Sequence, residues 1–216
     1  MRLSVKICGC NSRTAVAAAV AGGADYVGFV FYPPSPRSVT ADAATQLAEM
    51  VPERVLRVGL FVDPDDETLR RIAAQARLDI VQLHGSETPD RVAAIKRLTG
   101  LRAMKAIKVA TAADVDTAQP YIGVADRLLF DAKAPSSMAG ALPGGNAVSF
   151  DWTLLAGRTW PVPWMLSGGL NAGNVAEAVR VSGARIVDVS SGVESKPGTK
   201  DPERIRGFLA TAAALV

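Results

Sequence analysis

Short, nearly continuous apolar runs alternate along the chain with helix-length, alanine-rich segments. The runs LSVKIC (3–8), DYVGFVF (25–31), RVLRVGLFV (54–62), DIVQLH (79–84), LRAMKAIKV (101–109), RLLFD (127–131), PWMLSG (163–168) and RIVDVS (185–190) predict eight strands. Segments 12–22, 41–50, 65–76, 88–97, 112–118, 171–181 and 201–215 predict helices, with a shorter one near 152–156. Runs that are apolar on both faces suit a parallel sheet covered on both sides. Asn11 with Ser12, Thr40 and Asn171 stand where helix N-caps are expected. Eight βα units with no linker between them predict an α/β fold, a single (β/α)8 barrel over residues 1–216, and not an open doubly wound sheet.

Composition narrows the class. The 216 residues are 49% hydrophobic and 21% charged, enough apolar surface for a large core and too little polarity for disorder. No stretch of about 18 uncharged apolar residues occurs, so a membrane span is not expected. The start, Met1 and Arg2 followed by an alternating run, gives no leader pattern. The net charge of +3 comes from scattered Lys and Arg, with aromatics at only 6%, which argues against nucleic acid and fits a small anionic substrate. The two cysteines, Cys8 and Cys10, are too close in sequence for an ordinary disulfide, so a reducing cytoplasm is expected. A monomer is favoured over a homodimer, because a barrel of this length buries its core unaided.

A barrel turns positions into places, since its active site lies at the C-terminal ends of the strands. Residues ending a strand or opening the next loop include Cys8, Arg37, Asp63, His84, Asp131, Ser167, Gly168, Gly169, Asp188, Ser190, Ser191 and Gly192. Strand alternation puts Lys6 with Cys8, Gln82 with His84, Leu129 with Asp131, and Asp188 with Ser190 on shared faces. Val5, Ile7, Val187 and Val189 suit the layer under the helices, which leaves Lys6, Cys8, Asp188 and Ser190 facing the barrel interior. A buried lysine needs compensation, and Asp188 is the expected partner of Lys6.

Barrels often hold phosphate in the loops after strands seven and eight, on backbone N–H groups and a short helix N-terminus. Here those loops read LSGGLN and VSSGVE, small enough to bring the backbone close to an anion. LPGGNAV (142–148) gives the loop after strand six similar freedom, and Gly145 is a further candidate.

Several stretches also carry a family likeness. VKICG (5–9), GADYVGFVFYPPSPRSV (23–39), VGLFVD (58–63), VQLHG (81–85), LLFDAK (128–133), FDW (150–152), LSGGLNAGNV (166–175) and VDVSSGVESKPGTKD (187–201) resemble, in order, the phosphoribosylanthranilate isomerase family of tryptophan biosynthesis. The resemblance implies an Amadori rearrangement of N-(5-phosphoribosyl)anthranilate to 1-(2-carboxyphenylamino)-1-deoxyribulose 5-phosphate, with no redox cofactor. It matches Cys8 to the general base and Asp131 to the general acid. It assigns Arg37 to the anthranilate carboxylate, Asp188 to the substrate, and phosphate to Gly168, Gly169, Ser190, Ser191 and Gly192. His84, the only histidine, reads either as a substrate contact or as a hydrogen-bonded rim residue.

Two alternatives weigh against this: the related histidine-pathway isomerase, which would want an aspartate ending strand one and a half-barrel repeat, and a non-catalytic phosphate-binding barrel. The chain departs from the family before FDW, where GGNAVS (144–149) replaces a second glycine by Ala147. Cys10 reads as a bystander. A zinc site is not expected, with one histidine and no further cysteine to complete four ligands.

Overall fold

The computed structural model describes residues 2–135, 137, 138 and 140–215. Eight parallel strands close on one another in chain order: β1 (Ser4–Cys8), β2 (Tyr26–Val30), β3 (Leu56–Phe61), β4 (Ile80–Leu83), β5 (Arg102–Val109), β6 (Arg127–Ala132), β7 (Trp164–Leu166) and β8 (Ile186–Val189). β8 pairs back onto β1 with Ser4 opposite Ile186 and Lys6 opposite Asp188, so the sheet has no edge. The connecting helices are α1 (Arg13–Ala21), α2 (Ala41–Ala48), α3 (Asp66–Gln75), α4 (Pro89–Thr99), α5 (Ala112–Asp116), α6 (Val175–Ser182) and α7 (Pro202–Ala213).

Side-chain alternation sorts the strand residues into two layers. Outward, Val5, Ile7, Val27, Phe29, Val187 and Val189 join the helix residues Ala15, Val16, Ile205 and Phe208 in the main core. Each wholly buried large aliphatic or aromatic side chain there contributes about 1.5–3 kcal/mol. Inward, Tyr26, Val58, Ile80, Met104, Ala106, Leu129 and Met165 fill the barrel. Polar Lys6 and Gln82 are also fully buried within it.

Helix starts follow local chemistry. Ser12, Thr40, Asp65 and Thr88 each accept a backbone N–H of the first turn, capping α1 to α4. Asn171 does not cap a helix with its side chain. The Asn171 side chain instead accepts from Gly173 N, and α6 begins only at Val175. The helix expected near 152–156 is a 3-10 turn, Trp152–Leu155, too short to complete α-helical bonding. An antiparallel hairpin, β9 (Glu194–Lys196) with β10 (Thr199–Lys200), lies between β8 and α7, where the sequence suggested only a loop. Among the described residues, no helix is long and apolar enough to cross a membrane.

Candidate active site

The end of β1 is organised by a lysine. Lys6 Nζ donates to Asp188 Oδ1 at 2.9 Å, and Asp188 Oδ2 accepts from Ser167 Oγ at 3.3 Å, so both carboxylate oxygens are engaged. Burial opposes the Lys6 ammonium, yet Asp188 and the adjacent Cys8 hold its pKa well above the usual lysine range. Cys8 feels the same cluster from the other side. Burial pushes its thiol up, Lys6 and Lys200 draw it back, Asp188 pushes up again, and the net shift is upward. The resting group at neutral pH is therefore a thiol. Gly28, opposite Cys8 across the β1–β2 ladder, makes this crowding feasible: a Cβ there would meet Cys8 Sγ at 3.1 Å and Lys6 Cε at 3.3 Å.

Asp131 is the penultimate residue of β6 and is buried. Its Oδ2 lies 3.1 Å from His84 Nε2, and His84 Nδ1 lies 3.0 Å from Gln82 Nε2. Both ring nitrogens of His84 are thus engaged by the protein. Gly144 lies over this pair so closely that a Cβ would stand 2.9 Å from both Asp131 Oδ2 and His84 Nε2. The loop after β6 therefore shields the pair from water, which strengthens hydrogen bonding within it.

Arg37, in the loop after β2, is 4% exposed. Its Nε and Nη2 donate to Oε1 and Oε2 of Glu194 at 2.7 and 2.9 Å, and Nη2 also donates to Gly145 O at 3.1 Å. This bidentate pairing fixes the guanidinium plane. Glu194 is held in turn by Lys200 Nζ at 2.7 Å and by Gly198 N. Burial raises the Glu194 carboxyl, and the hydrogen bonds and charges of Arg37 and Lys200 outweigh it, leaving the group below its usual range. Lys200 also donates to Ser190 O and Oγ, and Ser190 Oγ donates to Cys8 O. The β9–β10 hairpin thereby ties together the loop after β2, the loop after β8 and the end of β1.

These groups converge on one pocket with about 730 Å³ of atom-free space, its open mouth included. Cys8, Arg37, His84, Asp131, Gly145, Gly168, Gly169, Asp188, Ser190 and Ser191, all singled out from sequence, line it. Gly192 does not: its α-carbon packs on the Leu170 carbonyl, where a Cβ would come within 1.9 Å. Asp63 also lies elsewhere, accepting from Ser86 N at the turn after β3. Sequence reasoning missed Glu194 and Lys200 as supports of the site, and Gly144 as its cover. No cluster of three or more potential metal ligands occurs among the described residues.

A family model described as N-(5'phosphoribosyl)anthranilate (PRA) isomerase matches residues 5–211. A Rhodospirillum centenum protein named N-(5'-phosphoribosyl)anthranilate isomerase is 64% identical over 215 residues, covering 100% of both chains. The crystal structure of phosphoribosyl anthranilate isomerase from Thermotoga maritima superposes with a TM-score of 0.85 at 36% identity, covering 97% of this chain and 98% of that one. A structure of such an isomerase in complex with reduced 1-(o-carboxyphenylamino)-1-deoxyribulose 5-phosphate superposes with a TM-score of 0.83 at 35% identity, with the same coverage.

Proposed function

The chain belongs to the N-(5'-phosphoribosyl)anthranilate isomerase family, and from that premise we propose that its barrel acts as one catalytic domain converting N-(5-phosphoribosyl)anthranilate to 1-(2-carboxyphenylamino)-1-deoxyribulose 5-phosphate in tryptophan biosynthesis. The observation that carries the residue roles is the placing of a thiol and a carboxyl, Cys8 and Asp131, on the lining of one pocket, from strands well apart in the barrel.

Asp131 is the general acid. It gives a proton to the furanose ring oxygen, the C1–O bond breaks, and the nitrogen lone pair forms the iminium. Cys8 is the general base. It takes the proton from C2, the electron pair makes the enolamine, and tautomerisation to the ketone completes the isomerisation. One proton is given and one removed, so the net reaction needs no electron acceptor. Because the resting thiol is protonated, Cys8 first releases its proton to water at the pocket mouth, from which Asp131 is reprotonated after each turnover, and Lys6 is the adjacent cation that favours the thiolate.

Arg37, oriented by Glu194, offers a fixed cation to the anthranilate carboxylate. Gly168, Gly169, Ser190 and Ser191 form a small-residue rim suited to phosphate. Gly168 and Gly169 both have left-handed backbone, which lets the loop bend against the ligand. The enzyme acts as a monomer, consistent with Met138 being the one exposed large hydrophobic among the described residues. Its two unpaired cysteines suit the cytoplasm.

The test is a fluorescence assay of phosphoribosylanthranilate consumption with wild type, Cys8→Ser and Asp131→Asn. Turnover by the wild type and its loss in both variants is expected. A wild type that does not consume this substrate would overturn the reading, and an active Asp131→Asn would overturn the acid assignment.

A further inference from the structure

Gln82 is an amide in the interior of an apolar barrel. It lies on β4 between Leu60 of β3 and Met104 of β5, it is fully buried, and its neighbours in the barrel include Val58, Ile80 and Met104. Burying an amide there costs about 1–3 kcal/mol unless it is hydrogen-bonded. Gln82 makes only part of that good: Nε2 reaches His84 Nδ1 at 3.0 Å, while Oε1 is buried without a partner. A methionine of similar length would fill the space without an orphaned oxygen, so the amide has a use beyond packing.

The geometry points to Gln82 as a positioning residue for the proposed general acid, acting through His84 by fixing which imidazole nitrogen carries the proton. The amide N–H donates to Nδ1, so Nδ1 must present a lone pair and the ring proton sits on Nε2. Nε2–H then donates to Asp131 Oδ2. The reverse amide orientation would demand a proton on Nδ1 and turn a bare Nε2 toward the Asp131 carboxylate, setting lone pair against lone pair. It is the costlier arrangement whenever Asp131 is ionised.

Two consequences follow for the reaction. Oδ2 is occupied by a neutral donor, which orients the carboxyl and leaves Oδ1 as the oxygen that exchanges a proton with substrate. His84 cannot take up that proton at Nδ1, because Gln82 already donates there. The pair therefore supports Asp131 without competing with it. This inference rests on Asp131 being the acid, but its first readout does not.

His84 is the only histidine of the chain, so selective ¹⁵N-histidine labelling gives one imidazole spectrum, read on the enzyme with no affinity tag. The wild type is expected to show a protonated Nε2 and a bare Nδ1. Gln82→Met should mix the tautomers and lower kcat about tenfold or more with little change in KM, as expected for a misplaced acid. Gln82→Glu, whose carboxylate demands a proton on Nδ1, should invert the tautomer or charge the ring and lower kcat further. A wild type with its proton on Nδ1 would overturn the inference. So would a Gln82→Met enzyme with altered thermal stability but an unchanged tautomer and kcat, which is what a packing role predicts. An active Asp131→Asn enzyme would instead remove the acid reading while leaving the tautomer result intact.

Discussion

Arg37 and Glu194 stand 157 residues apart in sequence and face each other through two parallel hydrogen bonds, Nε to Oε1 at 2.7 Å and Nη2 to Oε2 at 2.9 Å. The pairing uses two of the three guanidinium nitrogens and leaves Nη1 for a ligand. Glu194→Gln removes the charge that anchors both Arg37 and Lys200. The expected outcome is a rise in KM of about tenfold, equal to about 1.4 kcal/mol of binding, with a smaller change in kcat. Because two buried cations lose their counter-charge, urea unfolding should also show a loss of about 3–5 kcal/mol. Steady-state kinetics and equilibrium unfolding of the same preparation check both.

The two thiols should separate cleanly. Cys8 lines the pocket, whereas Cys10 is wholly buried in the main core and points its sulfur at Ile7 O. Cys8→Ser is expected to cost about 100-fold or more in kcat, the usual size of a general-base contribution. Cys10→Ser should remain active. Equal losses in the two variants would contradict the assignment.

Lys6 acts on Cys8 by charge. With Lys6→Met the thiol loses its closest stabilising cation, so the pH at which iodoacetamide alkylates Cys8 should move further upward from an already raised position. Asp188 is left buried and unpaired, which should destabilise the fold by about 3–5 kcal/mol. An alkylation profile that matches wild type, measured on Cys10→Ser backgrounds, would exclude the electrostatic role.

Cys10 makes a separate pH prediction. Its thiol is pushed up to about 12, mainly by burial, from an ordinary value near 9. The folded chain therefore holds this proton where the unfolded chain releases it. The stabilisation is fully present below pH 9 and is lost as pH rises towards 12. By pH 10.5 the loss is about 2 kcal/mol, so the stability difference between wild type and Cys10→Ala should narrow by that amount between pH 8 and 10.5. Denaturant titrations at the two pH values measure it.

Ala147 has a left-handed backbone, with φ of 57°, in the loop after β6. An L-residue there costs about 1–2 kcal/mol, and a glycine substitution returns about 0.4–1 kcal/mol as extra unfolded-state entropy. Ala147→Gly should therefore stabilise the protein by about 0.5–1 kcal/mol, seen as a small rise in Tm. A fall in Tm would mean that the methyl group makes a contact worth more than the strain.

Much of the fold could be read from the chain because its signals are local. Apolar runs such as RLLFD and RIVDVS mark strands whatever they pack on, and alternation placed Lys6, Cys8 and Asp188 on the inner face, where Lys6 does pair with Asp188. The failures have local causes too. The stretch 152–156 is too short a run to hold an α-helix, and Asn171 looks like a cap although its side chain closes a turn on Gly173 N. The candidate site was legible wherever a polar residue ends a strand. Glu194 and Lys200 were not, because SKPGTK reads as an ordinary loop and nothing local to Glu194 announces a partner 157 residues away. Gln82 reads as one more strand residue, and only burial exposes its orphaned oxygen.

The β1–β8 seam sets the order of events at synthesis. Lys6 and Asp188 meet across 182 residues, and Ser190 reaches Cys8 O across the same separation. The thiol's electrostatic surroundings thus do not exist while the nascent chain lacks its final strand. Long-range pairing of this kind is slow to form. The working site therefore cannot be complete before the cylinder has closed, and the first appearance of turnover during refolding marks the latest time of that closure.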